Sequence, residues 1–456
     1  MMLEENDLPE IKVNVNERAG SARKQWINCR IGEHLQLETD DLASYFFAKW
    51  EPIVFDLLLL AAAIEFCDKV KKRPKLGWGR SIHLRLPVHE VSVWQKASVG
   101  EELVRALELL TGDRWQIEFV QRKTAALGPP QGMLPLVDKI AVIPFSEGLD
   151  SRAVAGLMSQ ELGAGLVRVR LGPKESDRQL DDQGRVMPFR AVPYKISSGA
   201  LRFPETSARS RGFKFAILSG IAAYLANVRR VIVPESGQGA LGPSLVTVGQ
   251  SHDDFRNHPV FTSQMSSFLR TLLGVTITYE FPRLWFTKGQ TLQAYTALSG
   301  SRDWKTTRSC WQDNRHASVG GKRRQCGICA ACMLRRLSVH AAGLEEDKGI
   351  YLWENLGAES LDAAAPAGLK RIETAQRHYA LAGTLHLDHL AWLKKSPLGA
   401  SVIQTNVLRL AESLKKPAAE VQSNLDSLLS QHQKEWNSFV ASLPPTSFVR
   451  KWTALQ

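Results

Sequence analysis

Apolar and polar residues in the first part of the chain alternate with two different periods. Residues 82–88 and 115–120 alternate at every second position, which predicts strands with one buried face. Between them, residues 101–110 show the spacing of an amphipathic helix that ends at Gly112. Strand, helix and strand in this order predict a small α/β domain over residues 1–135.

A second strand, helix and strand pattern follows in the middle of the chain. An apolar, β-branched run at residues 140–143 leads into a short polar turn, a helical pattern at 153–158 and another apolar run at 165–171. Two parallel strands joined by a helix form a right-handed crossover, and ligands of such sheets lie beyond the carboxyl ends of the strands. We therefore predict an α/β fold with a parallel-sheet core domain over residues 136–342.

Changes in composition mark the limits of these parts. The Gly- and Pro-rich residues 128–132 predict a linker into the core domain, and the polar segment 172–204 predicts a substrate lid. Amphipathic spacing at residues 403–414 and 421–429 is typical of helices. The pattern predicts a helical C-terminal extension over residues 343–456 that docks on the core or on a partner protein.

The polar turn after residue 143 has the residues of an anion site. The first turn of a helix points unpaired N–H groups and a positive dipole end at a ligand beyond the strand. Gly148 allows a close approach, Ser146 and Ser151 can donate hydrogen bonds, and Asp150 can cap the helix. An ordinary turn with a capping Ser or Asp is the alternative that these residues leave open.

Cysteine spacing supplies a second signal. Four of the 6 cysteines fall in the segment 310–332, with the spacing C-x15-C-x2-C-x2-C, and four thiolates so spaced can bind zinc tetrahedrally. A disulfide framework fits poorly with a long, cysteine-poor chain that has no secretory signal, while an iron–sulfur cluster stays open. Cys29 and Cys67 stand alone and are predicted to be buried thiols. The candidate metal ligands are Cys310, Cys326, Cys329 and Cys332.

Taken together, Ser-x-Gly-x-Asp-Ser at 146–151 and Cys-Gly-Ile-Cys-Ala-Ala-Cys-Met-Leu-Arg at 326–335 resemble the QueC family of 7-cyano-7-deazaguanine synthases, in the PP-loop ATP pyrophosphatase superfamily. The resemblance covers roughly residues 139–342. Glu147 departs from it, because the superfamily usually has Gly at that position. The resemblance implies an ATP pyrophosphatase fold, with ATP and Mg²⁺ at the loop and a structural zinc ion.

Several residues acquire candidate roles from the resemblance and from their places after strands. Lys288, in a Thr-Lys helix start, and Arg209 or Arg211, at the head of another helix, are expected near phosphate. Glu235 follows a strand and is expected to bind Mg²⁺ or a base edge, with solvation or a plain turn as the alternatives. The candidate catalytic residues are Asp150, Ser151, Lys288 and Arg211; the candidate cofactor-binding residues are Ser146, Glu147, Gly148, Leu149, Asp150, Ser151, Arg209 and Glu235.

The activity that the resemblance implies is adenylation of a carboxylate, that of 7-carboxy-7-deazaguanine, followed by amide formation. The long terminal regions are similar to those of the enlarged QueC-like proteins of anti-phage systems, QatC and its type IV CBASS relatives. There the expected acceptor is the N-terminus of a partner protein from the same defence operon. Free 7-cyano-7-deazaguanine synthesis from ammonia, tRNA modification and a non-catalytic zinc-containing nucleotide-binding protein are the alternatives.

Net charge and hydropathy add less. A formal charge of +12 permits contact with nucleic acid without demonstrating it, and a homodimer is equally open. The apolar stretch at residues 57–64 is flanked by Asp56 and Glu65, so it predicts a buried helix and no membrane span. The acidic N-terminus carries no targeting pattern, and we expect a cytoplasmic protein.

Overall fold

The computed structural model describes most of the chain. The described residues are 8–17, 22–37, 51–74, 79–125, 139–171, 192–249, 252–298, 303–311, 318–319, 322–369 and 371–453. The linker predicted at 128–132 and most of the lid predicted at 172–204 lie outside them. Among the helices described here, none has the length and apolar character needed to cross a membrane.

Strands and helices alternate up to residue 296, and long helices dominate from residue 330 onwards. The strands are β1 (Glu10–Asn16), β2 (Ile27–Arg30), β3 (Leu35–Leu37), β4 (Ser81–Val88), β5 (Arg114–Gln121), β6 (Ala141–Phe145), β7 (Leu166–Arg170), β8 (Tyr194–Ile196), β9 (Arg230–Ile232), β10 (Thr278–Glu280), β11 (Ser318–Val319) and β12 (Lys322–Arg323). The α-helices are α1 (Pro52–Val70), α2 (Val91–Trp94), α3 (Ala97–Thr111), α4 (Leu149–Leu162), α5 (Arg211–Leu225), α6 (Gly237–Ala240), α7 (Gly242–Leu245), α8 (Pro259–Leu273), α9 (Lys288–Thr296), α10 (Ala330–Ala341), α11 (Thr374–Trp392), α12 (Gly399–Leu414), α13 (Ala418–Ala441) and α14 (Phe448–Trp452).

The first compact unit consists of Met1–Phe145, Leu162–Val233 and Asp254–Glu280. It contains two four-stranded parallel sheets, with strand orders β2-β1-β4-β5 and β10-β9-β6-β7. Buried and half-buried residues alternate along β4 up to Leu86, as the period of two predicted. The parallel-sheet α/β fold is therefore confirmed.

Helix α1 occupies the centre of this unit. It is buried on almost all sides because it is apolar all round, and the run at residues 57–64 lies in its middle. It packs against α5 and β4, while α3 packs against α8. One hydrophobic core therefore joins the N-terminal sheet to helices α5 and α8, and the predicted buried helix is confirmed.

The strands of the second sheet run in the same direction. Val142 of β6 pairs with Val167 of β7 and with Val231 of β9, and β9 pairs with β10. Because β6, β9 and β10 are parallel neighbours, the segments that follow Phe145 and Ile232 leave the sheet at the same edge, as does the segment after β10.

The second compact unit consists of Ser146–Glu161, Pro234–Asp253 and Phe281–Gln456. Helix α10 packs against α9, α11 and α13, so the C-terminal helices share a core with the cysteine segment. The helical extension is confirmed, although its helices begin only at Thr374 and residues 343–369 form turns and loops. Since the compact units do not follow chain order, the division into three sequence domains stays a prediction.

Candidate active site and metal centre

The turn after β6 brings two serine hydroxyls together at the start of α4. Ser146 directly follows β6, and its Oγ lies 2.9 Å from Oγ of Ser151 in the first turn of α4. The N–H of Gly148 donates to Ser146 Oγ at 3.3 Å, and a Cβ at Gly148 would stand 3.2 Å from that oxygen. Two hydroxyls at a helix N-terminus can donate to an anion.

Contacts on both sides of the turn fix its position. The carbonyl oxygen of Glu147 accepts a hydrogen bond of 2.8 Å from the N–H of Arg308. The side chain of Leu149 is 1% exposed and packs in a small core with Leu292 and Trp304. The turn is thereby tied to α9 and to the segment that leads to the first metal-ligand candidate.

The carboxylate of Asp150 has a partner on each oxygen. Ser236 Oγ donates to Oδ1 at 2.8 Å, and the ammonium of Lys288 forms an ion pair with Oδ2. The hydroxyl of Ser236 also lies 3.3 Å from Oγ1 of Thr291. Asp150 and Lys288, predicted from sequence segments far apart in the chain, are therefore in direct contact.

Lys288 carries a buried positive charge. Burial alone would lower the pKa of Lys288, but the carboxylates of Asp150 and Glu235 outweigh that effect and raise it. The ammonium therefore stays protonated at neutral pH, with its side chain only 8% exposed. Its partner Asp150 lies in the first turn of α4, so the buried cation is in contact with the start of that helix.

Glu235 lies in the turn after β9, immediately before Ser236. Its carboxylate folds back over the backbone of Gly239, where a Cβ would come within 2.1 Å of Oε1. A residue with a side chain at Gly239 would displace that carboxylate. The negative charge of Glu235 contributes to the raised pKa of Lys288.

Arg209 and Arg211 belong to the first compact unit, whereas the loop and Lys288 belong to the second. The Nη1 of Arg209 donates to the carbonyl oxygen of Thr111 at 2.9 Å, and burial lowers the pKa of Arg209 to about 10. The guanidinium of Arg211 lies 5.0 Å from the ring centroid of Phe215. Their roles at the nucleotide stay predictions.

Sequence reasoning missed two hydroxyls and an amide of the site. Ser236 adjoins Glu235, which drew attention by its charge, and Thr291 lies one helical turn after the helix start at Thr287. The side-chain oxygen of Gln238 accepts a hydrogen bond of 2.8 Å from the backbone N–H of Lys288. Their signal is weak, because Ser, Thr and Gln are common in turns and first helical turns.

Helix α13, from the C-terminal extension, forms hydrogen bonds with two segments of the site, one at Gln238 and one at Thr287. Thr287 caps α9, and its Oγ1 donates to Glu435 Oε1 at 2.6 Å. The Nε2 of Gln238 lies 2.7 Å from Nδ1 of His432. Since Gln238 and Thr287 flank Lys288 and cap its helix, α13 fixes the backbone from which the ammonium reaches Asp150.

The two hydrogen bonds of His432 define its tautomer. Nε2 lies 2.8 Å from the carbonyl oxygen of Leu387, which can only accept, so Nε2 carries the proton. Nδ1 then accepts from Gln238, whose own oxygen is already bound to Lys288 N–H. Burial lowers the pKa of His432 to about 4, so the imidazole is neutral at physiological pH.

The four candidate metal ligands meet in one place. The sulfur atoms of Cys310, Cys326, Cys329 and Cys332 all lie within 4.8 Å of one another. Sulfur atoms around a tetrahedral zinc ion, at about 2.3 Å from it, are separated by about 3.8 Å. The Sγ atoms of Cys326 and Cys332 are 3.8 Å apart, so the cluster could hold zinc. Cys29 and Cys67 are buried in the first unit, as predicted.

Backbone donors and tight packing stabilise this cluster. The N–H of Cys326 donates to Cys310 Sγ at 3.2 Å, and the N–H of Cys329 donates to Cys326 Sγ at 3.3 Å. Such bonds stabilise thiolates, the form that binds a metal ion. Gly327 has φ +86°, and a Cβ there would meet the carbonyl oxygen of Trp353 at 2.7 Å. Only glycine fits that position.

Comparison with known proteins agrees with this arrangement over part of the chain. Residues 238–343 match the family model described as queuosine biosynthesis protein QueC. The match contains Lys288 and all four clustered cysteines, and the loop at 146–151 precedes it. No curated protein and no solved structure matches the chain. The chain thus carries a segment similar to QueC at residues 238–343.

Proposed function

We propose that this chain uses ATP to adenylate the carboxylate of a 7-deazaguanine, 7-carboxy-7-deazaguanine, and then forms an amide. The observation that carries the proposal is the contact of Asp150, within the loop at 146–151, with Lys288 and Ser236. The QueC match suggests ATP-dependent chemistry on 7-deazaguanines and includes Lys288.

The residues of the loop suit the pyrophosphate of ATP. The N–H groups of the first turn of α4 and the hydroxyls of Ser146 and Ser151 would donate to phosphate oxygens. The ammonium of Lys288 would stabilise negative charge that develops at the α phosphate. Mg²⁺, which prefers oxygen ligands, would be held by the carboxylate of Glu235 and would supply further positive charge.

Two displacements would complete the reaction. A carboxylate oxygen of the acid attacks the α phosphorus, the bond to the bridging oxygen breaks, and pyrophosphate leaves. The nitrogen of an amine then attacks the acyl carbon of the adenylate, AMP leaves with the bridging oxygen, and the amine loses a proton to solvent. The four cysteines would supply all four ligands of a tetrahedral zinc ion, which would then be structural.

We propose the α-amino group of a partner protein from the same anti-phage operon as the acceptor. The motivation is the size of the chain, since residues 1–135 and 344–456 lie outside the region that matches QueC. Such added regions would serve to recognise a protein.

Intact-protein mass spectrometry of neighbouring gene products, co-expressed with and without this chain, tests the proposal. A mass increase at the N-terminus of one partner, absent with Asp150→Ala, is the expected result. Asp150→Asn, which keeps the shape of the side chain, is the matched variant and should also abolish the adduct. Free 7-cyano-7-deazaguanine formed without any adduct would contradict protein ligation and favour ammonia as acceptor.

A further inference from the structure

An aromatic side chain is held at the surface beside the candidate site. Phe286 is 40% exposed, although its neighbour Thr287 is fully buried and Leu284 is 2% exposed. Leaving part of an aromatic ring in water forgoes part of the free energy that its burial would contribute. The backbone here is fixed, because the N–H of Gly237 donates to the carbonyl oxygen of Phe286 at 2.9 Å. The exposure is therefore built into the fold.

Arg283 covers part of this ring. Its guanidinium carbon lies 3.7 Å from the centroid of Phe286, and its Nε lies 3.3 Å from Oγ1 of Thr291. Among the described residues, the Nη groups of Arg283 make no hydrogen bond. An anchored guanidinium over a ring leaves these donors directed at solvent or at a ligand.

Hydrogen bonds connect this pair to the candidate site. Arg283 donates a hydrogen bond to the hydroxyl of Thr291. That hydroxyl lies 3.3 Å from the hydroxyl of Ser236, which in turn donates to Asp150. Phe286 is also only two residues before Lys288. A ligand that touched Phe286 would therefore be next to the groups proposed to act on ATP and the acid.

We propose that Arg283 and Phe286 form the contact surface for a planar heteroaromatic ring, an inference that rests on the proposed function. Rings of this kind stack on aromatic side chains and on guanidinium groups, and the Nη donors of Arg283 can meet acceptors at the edge of the ring. Both the adenine of ATP and the 7-deazaguanine of the acid have this chemistry, and the experiment separates them.

Dissociation constants for 7-carboxy-7-deazaguanine, AMP and inorganic pyrophosphate test the inference. Phe286→Leu should weaken binding of one or both ring compounds by roughly one to two orders of magnitude and leave pyrophosphate binding unchanged. Phe286→Trp should retain binding of the ring compounds. Tyr379→Leu, which removes a ring of 42% exposure on α11, is the matched control and should change nothing.

The experiment distinguishes a failure of the ring-contact inference from a failure of the proposed function. If the wild-type chain binds the ring compounds and Phe286→Leu binds them equally well, the inference is overturned and the proposed function stands. An equal loss of pyrophosphate binding in Phe286→Leu would also overturn it, since the effect would then be a general distortion. If the wild-type chain binds neither ring compound, the proposed function fails, and the inference fails with it.

Discussion

At the scale of single residues, the ion pair between Lys288 and Asp150 is the central feature. Both side chains are mostly buried, with 8% and 12% exposure, and a buried charge is stable only with a partner. Ser236 donates a hydrogen bond to the other carboxylate oxygen of Asp150. This bond fixes the carboxylate and therefore the position of the Lys288 ammonium. Such a preorganised charge costs no reorganisation when negative charge develops on phosphate.

Replacing Lys288 with methionine, which has similar length and no charge, should reduce acid-dependent adenylation about 100- to 1,000-fold. The reason is the loss of the cation that would stabilise charge at the α phosphate. Initial rates of pyrophosphate release measure the effect, with Lys288→Arg as the charge-retaining control. Wild-type rates in Lys288→Met would exclude this residue from the chemistry.

His432 should make stability depend on pH. Because its pKa is about 4 in the fold and about 6.5 in the unfolded chain, the unfolded state binds more protons below pH 6.5. The contribution of neutral His432 is fully present above pH 6.5 and is lost as pH falls to 4, a change of up to about 3 kcal/mol.

Urea unfolding between pH 7 and pH 4 checks this effect. The stability difference between the wild-type chain and His432→Gln should shrink as the pH falls. A pH-independent difference between wild type and His432→Gln would show that His432 does not titrate as described.

At the scale of elements, helix α13 positions the start of α9. Its residue Glu435 is 6% exposed, and burial raises the pKa of that carboxyl. Oε1 accepts hydrogen bonds from Thr287 and from Gln431, so the contact needs an acceptor and does not need a charge. Glutamine offers the same acceptor in the same shape.

Glu435→Ala should therefore lower the turnover number together with the thermal midpoint, and Glu435→Gln should restore most of both. A buried hydroxyl left without its partner costs about 1–3 kcal/mol. KM for ATP should change little in either variant, because no loop residue is altered. Equal damage by alanine and glutamine would argue that charge, and not position, is what Glu435 supplies.

Sequence patterns predicted the local elements well and the long-range contacts poorly. The alternation of apolar and polar residues predicted β4 and β5, and the change from an apolar run to a polar turn predicted the loop at 146–151. Both patterns depend only on residues that are neighbours in the sequence. The contacts of Glu435 with Thr287 and of His432 with Gln238 span 148 and 194 positions. No local pattern records such pairs, so the role of α13 needed the structure.

At the scale of the whole molecule, the chain consists of two compact units, each with its own hydrophobic core. The cysteine cluster lies in a core of the second unit with Trp353 and Trp436. A metal ion bound there would stabilise the same unit that carries the loop, Lys288 and α13.

Cys329→Ser should abolish stoichiometric zinc binding and lower the thermal midpoint, because a ligand is lost from the centre of a buried core. Elemental analysis and calorimetry measure the two effects. Cys67→Ser, in the first unit, should keep its zinc. Iron in place of zinc in the purified wild-type protein would contradict the assignment of the metal.

Exchange of labelled pyrophosphate into ATP tests the central claim most directly, because it reports reversible adenylation whatever amine follows. With zinc-loaded protein and Mg²⁺, we expect exchange that requires 7-carboxy-7-deazaguanine and disappears in Asp150→Asn. Absence of exchange in the folded wild-type chain, or exchange that persists in Asp150→Asn, would contradict the proposed reaction.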